Sequence, residues 1–369
     1  MITRFYVHNF RCLEDFKLPL AGHSSVLLIG KNGVGKTSVR LALEILQKIA
    51  RGVNRVHDIV NPEQMTRGQE TAPMRFEIEA VLGGRKYHYS IAFDFPAGFR
   101  ELRVLDEAFV VDGKPVFRRE LAKVHLSKTE QDIEVTFSLD WHLAALPIVQ
   151  DNGEKDTLFI FRQWLARMMI LQPIPSLIKG DSDRETLNPR IDAIDFGAWV
   201  SGLLAHSPAC YGTIDRYLKA VMPDFIDFKN PPTGKNSRSL EVQFSNDKGS
   251  VTLPFEDLSD GEKCFMISAV ILAASEAYGP LVCFWDEPDN HLSLSEVGHF
   301  TMALRKAFQS GGQFIATSHN PEAIRSFSEE NTLLLYRKSH LEPTNVRLLS
   351  ELSVNGDLVS ALIRGDVEP

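Results

Sequence analysis

Residues 30–37 read Gly30-Lys31-Asn32-Gly33-Val34-Gly35-Lys36-Thr37, a complete GxxxxGK[ST] motif. It follows the apolar run Val26-Leu27-Leu28-Ile29 and precedes residues 38–50, whose apolar positions recur at helical spacing. Strand, glycine-rich turn and helix in that order restrict the fold more than any other feature of the chain. Glycines let the backbone curl around a phosphate with its N–H groups inward, and the helix N-terminus adds positive potential. In such a P-loop Lys36 reaches the β- and γ-phosphates and Thr37 ligates Mg²⁺. Asn32, Gly33, Gly35 and Ser38 complete the expected phosphate-contact set. The first expectation is therefore a nucleotide site on an α/β scaffold.

The rest of the chain indicates what kind of sheet carries that loop. Residues 281–285 and 313–317 are short and apolar, and helical patterns occupy about 259–277 and 294–309. Alternation of this kind calls for parallel strands covered on both faces, so N- and C-terminal α/β halves are expected to share one sheet. Between them the texture changes. Residues 74–82 and 86–93 alternate around Gly83-Gly84, a hairpin signal, and residues 103–111 and 133–139 continue an antiparallel block. Helical patterns cover about 158–167 and 196–221, broken by Pro208, and residues 230–238 form a polar loop containing Pro and Gly. The expected division is an N-terminal lobe with the P-loop and the β insert (1–172), a mainly helical insert (173–257), a second α/β lobe (258–330) and a strand/helix tail (331–369).

Composition removes other classes. The 369 residues carry a formal charge of −8, so bulk attraction to DNA is not expected and any nucleic-acid contact needs a local basic patch. The pairs Arg85-Lys86, Arg118-Arg119 and Lys235/Arg238 are scattered and read as solvated faces. No apolar run approaches the ~20 residues of a membrane helix. The start, MITRFYVHNFRCLEDF, lacks a signal peptide's apolar core. Cys12, Cys210, Cys264 and Cys283 have no CxxC spacing and read as reduced packing residues of a cytoplasmic chain.

Three further segments carry chemistry. Leu281-Val282-Cys283-Phe284-Trp285-Asp286-Glu287-Pro288 is a buried strand ending in two carboxylates, at the edge where open α/β sheets place ligands. Asp286 is expected to hold Mg²⁺ through water, and Glu287 to orient or deprotonate the water that attacks the γ-phosphate. Leu258-Ser259-Asp260-Gly261-Glu262-Lys263 opens a long apolar helix with a capping box, Ser259 as N-cap and Glu262 three residues on. Phe314-Ile315-Ala316-Thr317-Ser318-His319-Asn320 is another buried strand, ending in a histidine.

In this order the segments resemble the ABC ATPases, and among them the SMC/RecF/OLD-like group. Residues 258–263 resemble the LSGGQ or LSGGE signature, with Asp260 where that family has Gly, and lie 23 residues before Asp286. His319, 33 residues beyond Asp286, resembles the switch histidine that touches the γ-phosphate. The resemblance implies that Ser259, Gly261 and Glu262 act in trans on the nucleotide of a second subunit. It further implies that Asp289, in Pro288-Asp289-Asn290-His291-Leu292, lies in a D-loop at the dimer interface. Gln172, ending Met168-Met169-Ile170-Leu171-Gln172-Pro173, becomes the Q-loop glutamine that completes the Mg²⁺ shell. Arg11, in Val7-His8-Asn9-Phe10-Arg11, resembles the NFR element whose arginine lies by the nucleotide. The fold implied is α/β, an ABC-ATPase head with a mixed sheet around the P-loop, an antiparallel β insert and a helical signature subdomain. No sustained heptads occur between P-loop and signature, so long SMC arms are not expected. The 50 residues after His319 are too few for the Toprim nuclease domain of OLD proteins, and an ATPase head standing alone is expected.

The resemblance implies ATP and Mg²⁺ as cofactors and a homodimer or higher oligomer with ATP sandwiched between heads. The expected role is a switch that controls a separate effector, a nuclease or toxin, in genome (antiphage) defence or DNA repair, with DNA a further candidate contact and no membrane. Two other classes stay open. Against a transporter's nucleotide-binding subunit stand the NFR start, the Ser-His-Asn switch and the 136 residues from Lys36 to Gln172. Against a non-hydrolysing nucleotide-dependent scaffold stand Lys36, Asp286 and Glu287.

Overall fold

Apolar runs that do not alternate belong in a sheet covered on both faces, and that is where the computed structural model, which describes residues 1–128 and 133–352, places them. Six strands lie in the spatial order Met169–Leu171, Val282–Trp285, Gln313–Thr317, Ser25–Ile29, Thr332–Tyr336 and Asn345–Leu348. The first five are mutually parallel and the last is antiparallel. The two-residue period is present but divided between two cores. Val26, Leu28, Phe284 and Ile315 enter one, whereas Leu27, Ile29, Trp285 and Phe314 enter the other. Each such side chain contributes about 1.5–3 kcal/mol when fully buried, so neither face of the sheet can be left open.

The first core lies between this sheet, the P-loop helix Lys36–Ala50 and an eight-stranded antiparallel sheet. That second sheet runs Phe16–Pro19, Ile2–His8, Met74–Leu82, Arg85–Asp94, Arg103–Val111, Lys114–Glu120, Lys123–Lys128 and Ile133–Ser138. One of its strands departs from the expectation that the N-terminal half shares a sheet with the C-terminal half. Ile2–His8 pairs antiparallel with Met74–Leu82 and not with the P-loop strand. The reason is visible in its half-buried pattern, which suits a sheet with one wet face.

The second core is helical. It holds Phe196–His206, Cys210–Val221, Leu294–Phe308 and Pro321–Phe327 around the long apolar helix Asp260–Tyr278. That helix is buried without interruption from Lys263 to Ala274, as expected of one that is apolar all round. The segment 173–257 departs from the expected mainly helical insert. After its two helices it forms a three-stranded antiparallel sheet, Phe225–Lys229, Glu241–Asn246 and Gly249–Pro254. The overlooked signal is the turn Asn246-Asp247-Lys248-Gly249 between two short alternating runs. In the tail, Thr332–Tyr336 joins the central sheet beside the P-loop strand; the helix expected there falls on residues outside those described. All four cysteines are free thiols.

The site follows from this topology. The helix after Ser25–Ile29 packs into the first core, and the helices after Val282–Trp285 and Gln313–Thr317 pack into the second. Chain direction therefore switches faces between the P-loop strand and Gln313–Thr317, and ligands of open α/β sheets bind in the crevice at such a point.

Candidate nucleotide site

At that crevice the P-loop backbone adopts the conformation its glycines allow. Gly30, Gly33 and Gly35 have φ of 146°, 80° and 108°. A Cβ on Gly30 would lie 2.2 Å from the Leu335 carbonyl oxygen, and one on Gly35 would lie 2.8 Å from Cys12 Sγ and 2.9 Å from Thr344 Oγ1. Only glycine fits at either place. Asn32, Gly33 and Thr37 face solvent, while Lys36 and Ser38 are buried. Ser38 Oγ lies 3.5 Å from Cys12 Sγ.

Three side chains converge across the crevice. Lys36 Nζ donates to the Gly30 carbonyl at 2.8 Å and meets His319 Nε2 at 2.9 Å. His319 Nε2 lies 3.6 Å from Glu287 Oε1. An ammonium has only donors, so in this contact His319 Nε2 is on the accepting side. Burial, and then the Lys36 charge, lower the His319 pKa. Burial also lowers that of Lys36, against the opposing pull of Glu287 and Asp286.

The two carboxylates are held differently. Asp286, at the end of its strand, accepts from Thr317 Oγ1 at 2.6 Å, and its other oxygen lies 3.4 Å from Arg40 Nε on the P-loop helix. Thr317 Oγ1 also accepts the Glu287 backbone N–H at 2.9 Å. Glu287 sits in the left-handed region (φ 51°), and Asn290 Nδ2 donates to its Oε2 at 2.7 Å. Asp289 is buried; Ser318 Oγ donates to one of its oxygens at 2.7 Å, the other has no partner among the described residues, and burial raises its pKa.

Gln172 follows the strand Met169–Leu171, which neighbours that of Asp286; the Asp286 backbone N–H donates to the Leu171 carbonyl at 2.8 Å. The Gln172 side chain is exposed on a cleft of about 450 Å³ shared with Arg40, Gln47 and Arg190. Arg11 is exposed and has φ 55°; its backbone N–H donates to the Gln64 carbonyl at 2.6 Å. The residues expected to form a signature do not join this group. Ser259 Oγ donates to Glu262 Oε2 at 2.7 Å and accepts the Glu262 N–H at 3.3 Å, closing the capping box. Gly261 packs on the His291 carbonyl, and Asp260 turns its carboxylate to His291 Nδ1 at 3.5 Å. Sequence reasoning missed Arg40, Thr317 and Asn290. Thr317 and Asn290 carried a signal, polar residues beside the strand-end carboxylate and histidine, whereas Arg40 reads as an ordinary helix residue.

Residues 25–325 match the family described as "AAA domain, putative AbiEii toxin, Type IV TA system". The chain belongs to this AAA family. At the level of the family it is an ATPase domain, and its fold is that of SMC heads. The SMC head bound to the C-winged helix domain of ScpA aligns over 95% of this chain and 99% of its own, with a TM-score of 0.58 at 13% identity. The Smc head of Pyrococcus furiosus, with an extended coiled coil and bound to the C-terminal domain of ScpA, aligns over 99% and 98%, with a TM-score of 0.54 at 11% identity. A segment of 46 residues is 44% identical to the OLD nuclease of Thermus scotoductus, spanning 12% of this chain and 8% of that protein. Among the described residues of this AAA-family chain, no helix is long and apolar enough to cross a membrane.

Proposed function

We propose that the chain binds ATP with Mg²⁺ and hydrolyses it, closing head to head with a second copy while ATP is bound. The observation that carries this reading is the meeting of Lys36, His319 and Glu287 at the topological switch point. The residues fit the ligand: the loop presents exposed Asn32, Gly33 and Thr37, and the Lys36 ammonium rests on Gly30 within the same loop. Thr37, Asp286 and Gln172 would hold Mg²⁺, which supplies charge neutralisation at the β- and γ-phosphate oxygens.

In this reading Lys36 binds the terminal phosphates and His319 contacts the γ-phosphate. Glu287 is the base: Asn290 occupies Oε2, which leaves Oε1 to take a proton from the attacking water. Thr317 is a positioning residue, since one hydroxyl fixes both Asp286 and the Glu287 backbone. Ser259 and Gly261 reach the γ-phosphate of a second copy, with Glu262 holding Ser259 in its cap and Asp289 lying at the interface. Arg11 lies beside the nucleotide. ATP then joins two composite sites, and hydrolysis releases them. Control of a separate nuclease or toxin, in antiphage defence or DNA repair, is supported by the toxin–antitoxin wording of the family and by the segment shared with an OLD nuclease.

Glu287→Gln tests the chemistry. It is expected to lower phosphate release at least about a hundredfold and to accumulate an ATP-bound dimer in size-exclusion chromatography with light scattering. Normal turnover in that variant would remove Glu287 from the role of base.

A further inference from the structure

The loop after Thr332–Tyr336 brings two basic side chains to the P-loop that no motif accounts for. A Cβ on Gly33 would lie 3.5 Å from Arg337 Nη2 and 4.0 Å from His340 Nε2. Arg337 is half-buried, and among the described residues its guanidinium has no acceptor and no ion-pair partner. A guanidinium offers five donors in a planar fork that matches phosphate oxygens, and this one keeps contact with water, so an anion can reach it. An anion bound in the loop finds those donors free. The 337–344 segment is also fixed in place. Thr344 donates its N–H to Cys12 at 2.9 Å and its hydroxyl to Val34 at 2.7 Å. Arg67 donates to the Leu341 carbonyl and pairs with Glu14, both at 2.6 Å.

Strand order indicates which end of the nucleotide this loop faces. Glu287 and His319 follow strands on one side of the P-loop strand, and Arg337 follows the strand on the other. With the γ-phosphate toward Glu287 and His319, the opposite flank faces the nucleoside. The Asn9–Cys12 turn lies on that flank too, joined to the loop through Thr344. We propose that Arg337, with His340 beside it, holds the α-phosphate and ribose of the bound nucleotide, so that residues 337–344 form the nucleoside wall of the site. The proposal rests on the nucleotide-binding reading of the P-loop.

The test compares ATP and ADP binding by titration calorimetry, together with steady-state turnover, in the full chain and in Arg337→Gln. The Kd for ATP and for ADP is expected to rise by the same factor, about tenfold or more for a lost charge-assisted contact. KM should rise in parallel while kcat changes less than about twofold. Arg337→Lys restores part of the affinity, and His340→Gln, at an exposed position, gives a smaller loss for both nucleotides. A loss confined to ATP places Arg337 at the γ-phosphate and overturns the proposal, as do unchanged affinities in a folded variant. If the unsubstituted chain binds neither nucleotide, the P-loop reading itself fails and this proposal with it.

Discussion

At Glu287 the backbone occupies the left-handed region, which costs a residue other than glycine about 1–3 kcal/mol. Thr317 and Asn290 hold it there, so the carboxylate stays where the strand-end motif alone would not aim it. His319 is the second residue whose behaviour the crevice sets. Burial and Lys36 depress its pKa, so the folded chain refuses a proton that the unfolded chain takes up near the ordinary value of about 6.5. Stability is therefore intact above that value and lost as pH falls from it toward the lower, folded pKa. Acidification from about pH 7.5 to about pH 5.5 should lower the Tm of the unsubstituted chain more than that of His319→Gln; equal acid sensitivity would show that His319 titrates normally. Lys36, Asp286, Glu287 and His319 were legible because each sits in a short motif. Arg40 and Arg337 were not, because their meaning lies in what stands opposite them.

Among elements, one buried side chain bonds the two large sheets to each other beside the core they share. Gln313, the first residue of its strand, accepts the Ile2 N–H at 2.9 Å and donates to the carbonyls of Ile2, Leu20 and His23. It pins the N-terminal strand of the antiparallel sheet to the parallel one. Gln313→Leu leaves those groups buried and unpaired and should cost about 2–3 kcal/mol of unfolding free energy in a urea titration. A change under about 0.5 kcal/mol would show that the join is held by packing alone. The longer helices and several strands were readable from local pattern, as with the apolar run Gln313–Thr317 and the alternating Met74–Leu82 hairpin. The partner of Ile2–His8 was not, since an alternating strand states that one face is wet without saying which strand lies beside it. The three-stranded sheet after Val221 was missed for a related reason: short strands on a small core leave a weak pattern.

For the whole molecule, the capping box keeps Ser259 bonded to Glu262 within its own chain, and the site converging on Lys36 contains no signature residue. A second copy is what brings them together in the proposed mechanism. Ser259→Arg, introduced into Glu287→Gln, should abolish the ATP-dependent dimer in light scattering; a dimer that persists would place the interface elsewhere. The sequence by itself determined the local chemistry, namely the glycine-built phosphate loop, the strand-end carboxylates and the capped apolar helix. Each is encoded within a few consecutive residues whose backbone geometry is nearly fixed. The tertiary structure alone decided which strands are neighbours, and so placed His319 on one flank of Lys36 and Arg337 on the other. A strand buried on both faces carries no mark of its neighbours, and its register is settled only when two cores are packed at once.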